Sequence, residues 1–287
     1  MTHGIGCCLW IDGKAPQIAA YYLDTFKETQ PLKTTHFVDN QHGKAGEILT
    51  MTLELAGCEF MLLNGGDEFT PTPAISYLVD CETEAEVRHV WERLSHDGQI
   101  LMPLSTEDIG SLFGWTIDQF GYSWQVRLSA TPQKITPCIM FANDLVGQAL
   151  AARQTWIQAF GGEATFEQLD DDDRVLMAGF NLRGQDFLIM ESNYAHDFGF
   201  SLANSFYLYC QDQADIDQVW QAITQNGAEY PCGWMVDQYG LSWQTTTEEL
   251  EDMTADGHEK QTLQMTLALY EMKKLDLEKL RQAFHSA

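Results

Sequence analysis

The 287 residues are enough for two domains of ordinary size, and 45% hydrophobic with 11% aromatic content supplies a core, which excludes wholesale disorder. With 42 acidic against 16 basic side chains the formal net charge is −26. Such a chain lacks the clustered cations that replace phosphate counterions, so no nucleic-acid partner is expected, and an anionic membrane surface repels it. No run of 18 apolar residues marks a transmembrane helix, and the start, MTHGIGCCLWIDG, lacks the basic region of a signal peptide. Seven scattered cysteines with no CxxC pair read as buried free thiols of a cytoplasmic protein.

In chain order, a short apolar strand is expected at 7–11 and an amphipathic helix at 16–26, with Ala19, Tyr22, Leu23 and Phe26 at helical spacing. A hairpin follows, turning at Ala56-Gly57. A strand at 76–81 leads into a helix at 84–97, whose end at Gly98 suits a left-handed cap. Residues 101–113 read as a loop, and a last strand carries Ser123-Trp124-Gln125. After a linker at 129–136 the order repeats: strand 138–142, helix 147–160, hairpin at Arg183-Gly184, strand 205–210, helix 213–226 ending at Gly227, then Ser242-Trp243-Gln244. The acidic run Asp170–Asp173 reads as a hairpin tip. The tail adds a short helix at 248–254, an amphipathic helix at 258–274 and a last helix capped by Asp276.

The duplication shows at single-residue level. GWTIDQFGYSWQ from Gly114 meets GWMVDQYGLSWQ from Gly233, with eight of twelve positions identical. Val90-Trp91 meets Val219-Trp220, and Ser76-Tyr77 meets Ser205-Phe206. At the start, Cys7-Cys8-Leu9-Trp10 is aligned with Cys138-Ile139-Met140-Phe141. These segments, with LAGCEFMLLNGG at 55–66, ISYLVDCETEAEV at 75–87 and the tail QMTLALYEMKKLDLEKL at 264–280, resemble the PhnB-like family, also labelled 3-demethylubiquinone 3-methyltransferase-like. That family lies within the vicinal oxygen chelate superfamily of glyoxalases, dioxygenases and bleomycin-resistance proteins. The resemblance implies an α+β fold: two tandem βαβββ glyoxalase-like modules at 1–130 and 131–247, curved mixed sheets with helices outside, and a C-terminal helical extension at 248–287.

Metal-dependent relatives carry Glu on the last strand and often His on the first. Here the last-strand positions are Gln125 and Gln244, and the early positions fall at Gly6 and Pro137, so no metal centre and no cofactor are expected. His3 is the one histidine near a first strand. Strand alternation puts Gln125 and Gln244 opposite the bulkier Trp124 and Trp243, hence on the concave face. There they either join strands or contact a ligand. Cys8 and Trp10 share a face in the first repeat, and Phe141 with Trp10 forms either an aromatic wall or core. Asn64 and Glu191 end matching strands near the cavity mouth, and Cys232 reads as a structural thiol.

Gly65-Gly66 and Gly161-Gly162 do not make a nucleotide-cofactor fingerprint. Three readings follow. The first is a small-molecule binding protein using Cys8, Trp10, Gln125, Phe141 and Gln244. The second is an enzyme, either a lyase or isomerase with an unexpectedly held metal or a methyltransferase as the family label suggests. The third is an interaction module docking through its tail helices. A monomer is expected if the tandem modules pair within one chain, and a homodimer if the tail exposes an apolar stripe.

Overall fold

The computed structural model describes residues 4–106, 110–254 and 258–287. The first repeat contains β1 (Ile5–Ile11), α1 (Ala15–Thr25), β2 (Thr29–His36), β3 (Ile48–Leu55), β4 (Cys58–Asn64), β5 (Ile75–Cys81), α2 (Glu84–Ser95), β6 (Gln99–Ser105), β7 (Phe113–Ile117) and β8 (Ser123–Leu128). The second contains β9 (Lys134–Phe141), α3 (Ala149–Phe160), β10 (Gly162–Leu169), β11 (Val175–Leu182), β12 (Gln185–Glu191), β13 (Asn204–Tyr209), α4 (Gln213–Thr224), β14 (Ala228–Glu229), β15 (Trp234–Val236) and β16 (Ser242–Thr246). The tail forms α5 (Glu248–Met253), α6 (Glu259–Tyr270) and α7 (Leu277–His285). Each repeat thus holds two βαβββ units, four in all.

The strands form two eight-stranded mixed sheets, and each runs through both repeats. The first has the order β14-β15-β16-β13-β1-β4-β3-β2, the second β10-β11-β12-β9-β5-β8-β7-β6. The seams are antiparallel: β1 pairs β13 with Cys8 opposite Ser205, and β5 pairs β9 with Ser76 opposite Cys138. Between the sheets each repeat packs its own aromatic core. Tyr22 and Phe26 of α1 and Phe60 of β4 meet Trp124 of β8, and Phe160 of α3 and Phe206 of β13 meet Trp243 of β16. Every one of these rings is nearly or fully buried.

The repeated Asp-Gln-aromatic-Gly motif explains itself here. Asp118 Oδ1 accepts from the amides of Phe120 and Tyr122, while Oδ2 accepts from Tyr22 Oη and Trp124 Nε1. Asp237 does the same for Tyr239 and Leu241, and for the indoles of Trp156 and Trp243. A buried carboxylate therefore ties a turn, a helix and the last strand together.

The hairpins turn as expected, with φ of 45° and 79° at Ala56-Gly57 and 49° and 91° at Arg183-Gly184, the positive pair of a type I′ turn. Gly98 and Gly227 do not adopt left-handed backbone. A Cβ there would instead collide with the carbonyls of Ile117 and Val236, and Asp97 takes the positive φ of 55°. The loop expected from residue 101 begins with edge strand β6, which Pro103 and irregular register against β7 had obscured; residues 107–109 lie outside the described residues. In the tail Met265, Leu277, Leu280 and Phe284 are buried, while Leu263, Leu267 and Tyr270 along α6 keep part of their surface exposed. Among the described residues no helix is long and apolar enough to cross a membrane.

Candidate functional site

Each sheet presents one face to α1–α4 and an open face on the other side, which on the first sheet the tail partly covers, with Lys33 reaching Glu251 and Thr254 there. On the first sheet, Cys8, Ser205 and Gln244 come together on the open face, with Gln244 Nε2 donating to Ser205 Oγ at 2.8 Å. On the second, Cys138, Ser76 and Gln125 do likewise, with Gln125 Nε2 donating to Ser76 Oγ at 2.8 Å. Burial pushes the Cys8 thiol up to about 11 and that of Cys138 to about 12, against hydrogen bonds from the neighbouring Gln and Ser in each case. Both are therefore neutral thiols at physiological pH, poor nucleophiles and poor ligands. The two triads are equivalent under the duplication, and the sequence signal for their serines lay in the aligned Ser76 and Ser205.

The structure aligns Cys8, not Cys7, with Cys138. This one-residue shift moves the whole first strand of the second repeat to the other face. Phe141 accordingly lies on the helix side, fully buried against Trp156, Phe200 and Tyr239, and is not a neighbour of Trp10. Trp10 stays on the open face of the first sheet. Its Nε1 donates to the Gly66 carbonyl at 2.9 Å, and its ring meets Phe69 and Trp234 edge to face. Trp10 also lines a rim cavity of about 250 Å³ with Asp12, Lys14, Phe69 and Gln119. Of the five residues read from sequence, Cys8, Trp10 and Gln244 share one face, Gln125 occupies the other sheet, and Phe141 belongs to the core.

The two open faces differ sharply. That of the second sheet is filled by its own side chains: Leu78, Cys138 and Leu188 form a separate buried cluster beneath Phe113, Met177 and Met190, and Gln125 is only 2% exposed. The first sheet presents Thr50, Thr52, Glu59, Tyr207 and Gln244 instead. Glu59 Oε1 accepts from Tyr207 Oη at 2.6 Å and from Tyr209 Oη at 2.9 Å. Gly6 leaves the space the Tyr207 ring occupies, since a Cβ there would collide with it. Gln244, Trp10, Met61 and Trp234 all keep part of their surface exposed.

Asn64 and Glu191 serve the helices rather than a cavity mouth. Asn64 Oδ1 accepts from the Ala15 amide at the start of α1, and Glu191 Oε1 from Gly147 and Ala149 at the start of α3. Cys232 has a φ of 60°, its Sγ contacts the Leu269 carbonyl, and burial raises its thiol to about 11, as suits a structural residue.

The donor set on the open faces does not fit a divalent metal. A protonated thiol, a hydroxyl and a neutral amide replace carboxylate and imidazole, and Glu59 is already engaged by two phenols. Among the described residues no three or more His, Cys, Asp or Glu side chains are grouped to hold an ion; His3 lies outside them. The glycine pairs do not build a nucleotide cradle either. Gly65-Gly66 follows β4 without opening a helix, and Gly161-Gly162 joins α3 to β10.

A family model described as 3-demethylubiquinone-9 3-methyltransferase matches residues 3–127 and again 133–246. A PhnB protein from Bacillus cereus, described under the same activity, is 36% identical and covers 43% of this chain and 98% of its own, with a TM-score of 0.41. Glyoxalase I from Zea mays is 13% identical over 88% of this chain and 95% of its own, with a TM-score of 0.59, a likeness of fold alone. A search of curated proteins finds no match.

Proposed function

This chain belongs to the 3-demethylubiquinone-9 3-methyltransferase family of PhnB-like, glyoxalase-fold proteins, and from that premise we propose that it binds a small polar molecule on the open face of its first sheet, without a metal centre. The difference between the two equivalent faces carries this reading. One has been closed by aliphatic and sulfur side chains. The other keeps a hydrogen-bonding floor at Gln244 and the buried Ser205, an aromatic flank at Trp10 and Trp234, and accessible surface at Gln244 and the two tryptophans. A neutral floor of amide, hydroxyl and thiol suits a ligand with hydroxyl, carbonyl or amide groups.

The test is a thermal-shift screen of polar metabolites, followed by tryptophan fluorescence titration of the hits, because Trp10 and Trp234 flank the site. Saturable quenching, with metal analysis of the same protein giving well under one divalent ion per chain, is the expected result. A stoichiometric divalent ion whose removal abolishes binding or turnover would replace this reading with the metal-dependent one.

A further inference from the structure

The tail builds a cavity that the two repeats do not contain. The β2–β3 hairpin and its loop face one side of α6, enclosing about 420 Å³, within the range of small-molecule sites. Thr262, Thr266 and Tyr270, one turn apart along α6, form one wall with Thr254 and Glu259. The match to the family model ends at residue 246, so the α6 wall lies outside the matched residues. Cys8, Trp10 and Gln244 are not among its lining residues, although Thr35, which is, shares the face of Thr50 through a hydroxyl hydrogen bond of 2.6 Å.

The tail is held over the first sheet from two opposite edges. At one, Lys33 of β2 reaches Glu251 Oε2 and Thr254 Oγ1, each at 2.8 Å, and His42 packs edge to face on Tyr270. At the other, beside β15, the amides of Cys232 and Gly233 donate to the carbonyls of Met272 and Lys273. The anchoring leaves the cavity framed rather than filled.

Its lining is apolar and hydroxylic, with His36 as the one basic side chain among the described lining residues. Phe37, Val38, Leu49 and the Tyr270 ring give an apolar body, and four threonines, Thr35, Thr254, Thr262 and Thr266, give hydroxyls. Glu259 is the only carboxylate among the described lining residues, and no Lys or Arg lines it. Asp39, next to the lining Val38 though not itself a lining residue, holds Oδ2 buried with no hydrogen-bond partner among the described residues. Its charge reaches Tyr270, whose hydroxyl is raised to about 12 by burial and then by Asp39. A buried carboxylate oxygen left unmatched is costly, and a cationic donor is the group that would match it.

We propose that the cavity between the β2–β3 hairpin and α6 is a second binding site, created by the C-terminal extension, for a small molecule with an apolar ring and a protonated amine. The ring packs between Phe37 and Tyr270, and the amine is directed to the Asp39 side, the end of the cavity where Tyr270 stands; Glu259 lies about 16 Å away at the other end of α6.

Calorimetric titration of the full chain with tryptamine, neutral 3-methylindole and anionic indole-3-acetate tests this, since the three share one ring and differ in charge. Tryptamine should bind at least tenfold more tightly than 3-methylindole, and indole-3-acetate most weakly. Asp39→Asn should reduce the preference for the amine threefold or more, whereas Glu259→Gln, at the far end of α6, should leave it unchanged. Thr266→Trp should fill the cavity and abolish binding; Ala45→Phe, filling it from the hairpin loop, serves the same purpose should the helix variant misfold. Gln244→Ala should leave tryptamine affinity unchanged, which separates this site from the one proposed above. Equal affinity for the three compounds, no binding to any of them at millimolar concentration, or tryptamine binding intact in a folded cavity-filled variant would overturn the proposal.

Discussion

Asp118 and Asp237 occupy the same motif, yet their surroundings predict different sensitivities. Replacing either by Asn puts an NH2 group where an acceptor stood. At Asp118 one of the two side-chain donors is the Tyr22 hydroxyl, which can turn and accept, so chiefly one indole N–H is orphaned. At Asp237 both donors are indoles and neither can accept. At about 1–3 kcal/mol for each buried donor left unsatisfied, Asp118→Asn should cost about 2 kcal/mol and Asp237→Asn about 4 kcal/mol. Urea unfolding of the two variants measures this, and equal costs would contradict the assigned donors. The residue scale is also where reading the sequence faltered. Alternation placed Gln125 opposite Trp124 and Gln244 opposite Trp243 correctly, because a tryptophan and an amide differ so plainly in polarity. It misplaced Phe141, because Cys138-Ile139-Met140-Phe141 is apolar at every position and offers no polarity contrast to fix which residues face inward.

At the scale of elements, the helices, the hairpin turns and the strands next to them were legible, since the duplication supplied two readings of each, but the edge strands β2 and β6 were not. How the repeats share their sheets was not, because pairing partners at a seam between two almost fully buried strands leave no local trace. The topology makes a firm prediction. In the intact chain β1 pairs with β13 and β5 with β9, and β13 and β9 are the second-repeat equivalents of β5 and β1. Residues 1–130 alone should therefore fold as a closed two-fold dimer, each β1 pairing with the partner's β5. Sedimentation equilibrium should show twice the fragment mass; a stable monomer would mean that the seams are dispensable. Gly98→Ala tests a narrower point. Its Cβ would meet backbone at Ile117, so a loss of about 1–3 kcal/mol is expected, as for other overpacked sites, and no loss would show that the end of α2 can move aside.

For the whole molecule, charge sets the solution behaviour. A net charge of −26 repels itself within the folded chain, so the melting temperature should rise as NaCl increases from near zero to about 0.15 M, where the screening length falls to about 8 Å. Acid acts through particular carboxylates. Burial alone would raise Asp215, but hydrogen bonds from Arg183 outweigh it and hold the carboxyl below its usual value. The stability it contributes is present above the unfolded pKa and lost as pH falls through the folded one. Arg183→Met should therefore flatten the decline in stability below about pH 4 in urea melts taken across pH. Asp118 and Asp237, raised by burial against four donors each, act in the opposite sense: their contribution is full below the unfolded pKa and declines as pH rises through the folded one.

The most direct measurement is a paired titration of the strongest hit of the metabolite screen against Gln244→Ala and Gln125→Ala. Loss of a ligand hydrogen bond worth about 1 kcal/mol or more should weaken binding to Gln244→Ala by roughly fivefold or more, while Gln125→Ala, altered only behind a sealed face, should bind as the unaltered protein does. Weakening by Gln125→Ala with Gln244→Ala unaffected would contradict the account and assign the ligand to the second sheet.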